Sequence, residues 1–220
     1  LFSLSYTLFD IVFIFAVNIS QVFSPYFFRE WNQPGGSKSS TYFNMAMKYS
    51  LIMTVLLSLG LFLLGDSLVT LLAGDVYADA TSFSVLFVFL PFLRVLTVNL
   101  QQRHLASDKT KQLGIIYLFS FALTLVTGLW WGNLWNVYGV VFSMLFTQFV
   151  VLLLVGWQVK PEVDLNNEDL HFTRLMTINA AIVGLVFIVV LVLPESVILR
   201  IAAVIVFPLA YFFFLIKTAV

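Results

Sequence analysis

Long apolar runs separated by short polar segments account for most of the chain. Each run approaches the length of about 20 residues that an α-helix needs to cross the roughly 30 Å hydrocarbon core of a bilayer. The pattern predicts an all-α membrane protein. We place seven membrane-spanning helices, at about 1–23, 43–64, 81–101, 113–131, 135–157, 175–193 and 197–216.

Interruptions in the apolar pattern define the connections between these helices. Ser24-Pro25 is expected to bend or end the first helix. The Leu-rich part of 66–80 is too short to cross a bilayer and is expected to lie at the interface. The fourth and fifth helices are so close in sequence that only a tight antiparallel hairpin can join them. We therefore divide the chain into a five-span unit, a linker and an added helix pair, at 1–158, 159–174 and 175–220.

Composition supports a membrane-embedded protein. The chain is 61% hydrophobic and 10% charged, whereas about 25% of the residues in a soluble domain are charged. A formal net charge of zero gives no reason to expect nucleic acid as a partner, and the chain has no Cys with which to form disulfides.

The basic residues indicate the orientation of the helices. Loops after the first, third and fifth predicted helices contain Lys and Arg, whereas loops after the second, fourth and sixth contain neither. Since cytoplasmic loops are enriched in Lys and Arg, we expect the N-terminus outside and the C-terminus in the cytoplasm. The basic loop residues are Arg29, Lys38, Arg103, Lys109, Lys111, Lys160 and Arg174.

Two opposite charges inside predicted helices are the main candidates for a binding site. Arg94 lies about 13 residues into its helix, roughly 20 Å from the outer end, and Asp10 lies about 9 residues, roughly 14 Å, into its own. The depths allow an ion pair or a shared polar cavity. A purely structural pair, or an Arg that extends toward one membrane face, is the alternative.

Other polar side chains in the predicted helices support this site less directly. Asn99, Gln101, Gln102 and Gln148 either join helices through hydrogen bonds or line a binding site. Lys48 either extends to the cytoplasmic surface or adds positive charge to a central cavity. We include Asn99 and Lys48 with Arg94 and Asp10 as candidate substrate-binding residues.

The sequence gives no pattern typical of an enzyme. It contains no HExxH, GxSxG or Walker motif, and His104 and His171 have no spaced ligands that suggest a metal site. We therefore predict no catalytic residues, no metal and no cofactor. A retinal-type receptor needs a Lys buried in its last helix, whereas Lys217 lies at that helix's cytoplasmic end. A secondary carrier, with kinked helices and polar groups at mid-depth, is the remaining class.

Two motifs resemble the C-terminal part of the polysaccharide flippases, which belong to the multidrug/oligosaccharidyl-lipid/polysaccharide exporter superfamily. A loop Ala73–Ala80 (AGDVYADA) is followed by a helix and then by the turn Leu100–Gly114 (LQQRHLASDKTKQLG). The hairpin around Asn133 and Val137-Tyr138-Gly139 is similar to the family's next hairpin. The matching motif positions are Gly74, Tyr77, Ala80, Gln102, Leu105, Ala106, Lys109 and Lys111.

This resemblance implies the C-terminal lobe of a two-lobed transporter in a bacterial inner membrane, with the first lobe and one helix preceding Leu1. The implied substrate is a lipid-linked oligosaccharide, a precursor of cell-surface polysaccharide. The implied partners are membrane lipids, a polysaccharide polymerase and glycosyltransferases. Arg94 is the implied contact to the pyrophosphate or to acidic sugars. Two alternatives stay open: a drug/cation antiporter of the same superfamily, and a membrane scaffold or receptor that transports nothing.

Overall fold

The structure is a computed structural model that describes residues 2–33, 38–74, 87 and 89–159. Outside short turns, this part of the chain is α-helical, and no strand occurs within it. The all-α class is therefore confirmed for the described residues. The helices are α1 (Phe2–Trp31), α2 (Ser39–Ala73), α3 (Phe89–Ala106) and α4 (Thr110–Val159).

Three of these four helices contain a segment long and apolar enough to cross a membrane. The segments cover Ser5–Trp31, Ser39–Leu61 and Thr110–Gln158. A helical membrane protein is thus supported by length and composition. The count of seven spans and their orientation stay predictions. Residues 160–220, with the predicted linker and last two spans, and most of 75–88 lie outside the described residues.

Helix α1 does not end at Ser24-Pro25, so of the two outcomes expected there, a bend or an end, the end is wrong. It continues through Pro25 to Trp31. A proline is tolerated in a membrane helix where neighbouring groups compensate for its missing N–H. Packing beyond the proline also favours the helix: the ring of Phe27, which is 1% exposed, lies with its centroid 6.0 Å from that of Phe43 on α2.

Helix α2 likewise extends past its predicted end at 64. The Leu-rich segment after it is the last part of the same helix rather than a separate element. Gly74 caps the helix just after its last residue, Ala73, and the N–H of Gly74 donates to the Thr70 carbonyl at 2.9 Å. Gly74 has φ +85°, a conformation that glycine adopts without the steric cost of a Cβ.

Helix α4 is a hairpin of two antiparallel arms, which confirms the predicted tight connection. The arms, α4a (110–134) and α4b (137–159), meet at Trp135 and Asn136, which have non-helical backbone angles. Thr127 and Ser143, on opposite arms, share a hydrogen bond of 2.6 Å between their hydroxyls. A Cβ on Gly139 would overlap the carbonyl group of Trp131, so the arms touch through backbone atoms.

Helix α3 lies at the centre of the bundle and contacts α1, α2 and α4. The core between them contains fully buried apolar side chains from all four helices: Ala16, Met47, Leu51, Val95 and Val155.

One end of the bundle is basic. The guanidinium of Arg103, near the end of α3, lies 4.0 Å from the ring centroid of Phe43, near the start of α2. Phe43 in turn packs on Phe27 near the end of α1, which carries Arg29 in its last turn. The described basic loop residues therefore share one end, as the alternating helix directions predict.

Candidate functional site

Arg94 and Asp10 form an ion pair inside the helical bundle. The Nη1 of Arg94 on α3 donates a hydrogen bond to Oδ1 of Asp10 on α1. The side chains are 28% and 32% exposed. The two charges that the sequence places at similar depths are thus brought into direct contact. Neither side chain is sealed in the core.

An aromatic ring fixes the guanidinium from a second direction. The Cζ of Arg94 lies 3.9 Å from the ring centroid of Phe13. Phe13 follows Asp10 by nearly one helical turn, so both side chains reach the same side of α1. A cation over an aromatic face is stabilised electrostatically, more so where water is excluded. Asp10 and Phe13 together hold Arg94 against α1.

Two uncharged polar residues extend this site toward the basic end. Gln101 lies two helical turns after Arg94 on the same side of α3, and its Nε2 donates to the hydroxyl of Tyr117 on α4a. Tyr117 is 46% exposed. We call the surface formed by Asp10, Phe13, Arg94, Gln101 and Tyr117 the polar face.

Sequence reasoning did not single out Tyr117. A Tyr in the first turns of a membrane helix is typical of an interfacial anchor. Its position opposite Gln101 follows from how α3 and α4a pack, which no local pattern in the sequence indicates.

Asn99 lies on another side of α3, inside the bundle. Its Oδ1 accepts a hydrogen bond from the Ser20 hydroxyl at 2.7 Å, and its Nδ2 donates to the Ser50 hydroxyl at 2.9 Å. Gln102 also donates to Ser20, at 2.8 Å. Asn99 is 1% exposed. Its position favours the helix-joining alternative over the predicted contact to substrate.

The contacts between α3 and α4b are also polar and internal. Gln148 donates to the Thr97 hydroxyl at 3.0 Å. Nε2 of His104 lies 3.0 Å from Oε1 of Gln158. These pairs join α3 to α4b, so Gln148 belongs to helix packing rather than to the polar face.

The last of the four candidate binding residues is Lys48. It is half-buried on α2, two residues before Ser50, which faces Asn99. Residues two positions apart on a helix do not face the same neighbour. Its proposed contribution to a cavity stays a prediction.

An apolar groove lies on the remaining side of α3. Its volume is about 1100 Å³, and Phe92, Leu93 and Phe149 are among the side chains that line it. Leu93 precedes Arg94, so the groove and the polar face lie on different sides of one helix. The groove suits hydrocarbon, whereas the polar face suits a charged or hydroxylated ligand.

No group of three or more His, Cys, Asp or Glu residues that could hold a metal ion occurs within the described ranges. The polar face supplies one cation, one carboxylate, an amide and a phenol. These groups are suited to binding an anion and its polar substituents by ion pairing and hydrogen bonds.

Comparison with known protein families, with curated proteins and with solved structures gave no match to this chain.

Proposed function

We propose that this chain is part of a membrane flippase that moves a polyprenyl-pyrophosphate-linked oligosaccharide from the cytoplasmic to the outer leaflet. The observation that carries the proposal is the partly exposed Arg94–Asp10 ion pair, which joins α3 to α1, a helix long and apolar enough to cross a membrane. Charged side chains in such helices are costly and usually face a cavity or mark a ligand pathway. The motifs that resemble the polysaccharide flippases supply the substrate class.

Arg94 is the group that recognises the pyrophosphate. A guanidinium presents several N–H donors in a planar fork that matches phosphate oxygens, and such charge-assisted hydrogen bonds are stronger than neutral ones. Phe13 restricts the guanidinium without using any of its N–H donors. The side chain is therefore positioned for an anion before the substrate arrives.

Asp10 serves as the counter-ion of Arg94 when no substrate is bound. An isolated Arg at mid-membrane costs about 3 kcal/mol on insertion scales, and a neighbouring carboxylate lowers that cost. On binding, the pyrophosphate displaces the carboxylate from the guanidinium. Asp10 is then free to take up a proton or another cation, which would couple transport to a cation gradient.

The whole transporter would consist of two helical lobes. This chain supplies one helical lobe, and a second lobe faces its polar face across a central cavity. Alternate opening of the two lobes would expose Arg94 first to the cytoplasm and then to the outside. The proposed location is the bacterial inner membrane, where glycosyltransferases supply the substrate and a polysaccharide polymerase consumes it.

Replacing Arg94 in the intact protein tests this function. Arg94→Ala should abolish transport of the lipid-linked oligosaccharide at equal membrane abundance, and Arg94→Lys should retain part of it, because Lys keeps the charge but loses the fork. Gln148→Met is a matched control, since it removes a polar contact to α3 away from the polar face. Equal transport by wild-type protein and Arg94→Ala would contradict the proposal.

A charge exchange separates binding from structural pairing. The double variant with Asp10→Arg and Arg94→Asp keeps an ion pair but moves the cation from α3 to α1. If the pair is only structural, the exchange restores the transport that a single replacement abolishes. If Arg94 binds the pyrophosphate, the double variant folds but transports poorly.

Loss of cation-driven drug export in Asp10→Asn, with Arg94→Ala still active, would favour the antiporter alternative.

A further inference from the structure

Gln101 and Tyr117 have no part in the Arg94–Asp10 ion pair, yet they lie on the same face. Their side chains hydrogen-bond to each other between α3 and α4a. Gln101 is half-buried and Tyr117 is 46% exposed. This exposure separates them from Asn99, whose amide is enclosed between α1, α2 and α3.

Partly exposed amides are unfavourable on a surface that faces hydrocarbon. Transfer of an amide or hydroxyl into an apolar medium costs several kcal/mol where its hydrogen bonds are not replaced. The hydrogen bond between Gln101 and Tyr117 satisfies one amide N–H, whereas the remaining amide N–H and the carbonyl oxygen need further partners. We therefore expect this part of the polar face to contact water or a polar ligand.

Helix α1 contributes a second amide at the same level. Gln21 is exposed, and it follows Ser20, whose hydroxyl accepts from Gln102 at 2.8 Å. Gln21 lies about three helical turns after Asp10 on the same side of α1. With Gln21 added to it, the polar face has a charged level at Arg94 and Asp10, and a neutral level at Gln21, Gln101 and Tyr117.

The neutral level has the chemistry of a sugar site. Each amide offers donors and an acceptor, and the phenol hydroxyl offers both, as sugar hydroxyls require. The Tyr117 ring adds an apolar surface on which the C–H face of a sugar ring can pack. An uncharged, hydroxyl-rich ligand satisfies these groups better than an anion does.

We propose that Gln101, Tyr117 and Gln21 form a subsite for the sugar residues next to the pyrophosphate that Arg94 binds. This inference rests on the proposed function. Arg94 and Gln101 are seven residues apart on one helix, which corresponds to about 10 Å along its axis. The first one or two sugar rings attached to a pyrophosphate span that distance.

Three probes distinguish the sugar subsite from the pyrophosphate site. One is farnesyl pyrophosphate, and the other two carry either glucose or N-acetylglucosamine on its terminal phosphate. Binding to the purified intact protein in lipid nanodiscs is measured by calorimetry for wild-type protein and for Tyr117→Phe, Gln101→Met, Arg94→Ala and Gln148→Met. The last variant is the control, because its amide bonds to Thr97 inside the bundle.

Wild-type protein should bind a glycosylated probe more tightly than farnesyl pyrophosphate. Tyr117→Phe and Gln101→Met should each weaken binding of that glycosylated probe by about three- to tenfold, the range expected for one lost hydrogen bond. Their affinity for farnesyl pyrophosphate should not change. Gln148→Met should leave the difference between the probes intact.

Other results overturn the subsite. Equal losses for both probes would show that these residues only position Arg94, and no loss for either would leave them as a contact between helices. Wild-type protein that does not prefer either glycosylated probe, or binds no probe, would also overturn it. The proposed function fails separately if Arg94→Ala binds farnesyl pyrophosphate as wild-type protein does while the sugar-dependent losses persist.

Discussion

The Ser20 hydroxyl on α1 donates a hydrogen bond of 2.7 Å to the Asn99 amide on α3, although 79 positions separate the two residues in the chain. Asn99 also donates to Ser50, so one amide joins three helices. Gln101, only two residues later, lies on the polar face. Helix α3 therefore places its amides in two environments, one that holds the bundle together and one open to a ligand.

The Asn99 network predicts a stability defect without a binding defect. Asn99→Ala removes both interhelical bonds and leaves the buried Ser50 hydroxyl without this donor. The variant should lose about 1–2 kcal/mol of stability, within the range for buried polar groups and for hydrogen bonds between membrane helices. Thermal unfolding in detergent measures the loss. Ser120→Ala is the control, because the Ser120 hydroxyl bonds only within α4a, to the Tyr117 carbonyl at 3.0 Å. Equal unfolding temperatures for the two variants would contradict this role.

Gly139 should tolerate no side chain. A Cβ there would overlap the Trp131 carbonyl group of the facing arm, so Gly139→Ala must push α4a and α4b apart. We expect a loss of about 1–3 kcal/mol, typical of overpacking. Gly114→Ala is the matched control on α4a. No neighbouring atom lies within 4 Å of its built Cβ, so this change should be neutral or slightly stabilising. The prediction is wrong if both variants unfold at the same temperature.

The turn between α4a and α4b gives a prediction about backbone conformation. Asn136 has φ +53° and ψ −133°, which lies outside the left-handed helical region that Asn tolerates and is a conformation that favours Gly. Asn136→Gly should therefore stabilise the hairpin by about 1 kcal/mol, whereas Asn136→Ala, which keeps a Cβ, should be close to neutral. Thermal unfolding of the two variants is the measurement. Equal effects of Ala and Gly would show that the side chain of Asn136, rather than its φ angle, determines stability.

Much of the architecture follows from the apolar pattern. It predicts a helix within each long described segment, the alternating directions of these helices and the hairpin after 131, because each property depends on length and local composition. The helix ends are less accurate. Pro25 and the segment after 64 look like helix ends in the local sequence. In the structure α1 continues through Pro25, where Phe27 packs on Phe43, and α2 continues to Ala73.

The candidate site is predicted in part for a similar reason. Depth along a helix can be counted in sequence, so the meeting of Asp10 and Arg94 could be anticipated. Rotation about the helix axis is harder to infer, because α3 is in contact with three partners and has no single apolar side. For that reason the sequence did not separate Asn99, which is buried, from Gln101, and it did not indicate Tyr117.

Accessibility of single cysteines along α3 tests the central claim that the polar face lines an aqueous cavity. The natural chain has no Cys, so each introduced thiol is the only one that this chain contributes. We would treat membranes containing the intact protein with a charged, membrane-impermeant methanethiosulfonate and compare four variants: Arg94→Cys, Gln101→Cys, Val95→Cys and Leu93→Cys. If this claim holds, modification is rapid at 94 and 101, and slow at 95 in the core and at 93 in the apolar groove. Rapid modification at 93 with none at 94 and 101, or no modification at any of the four positions, would contradict it.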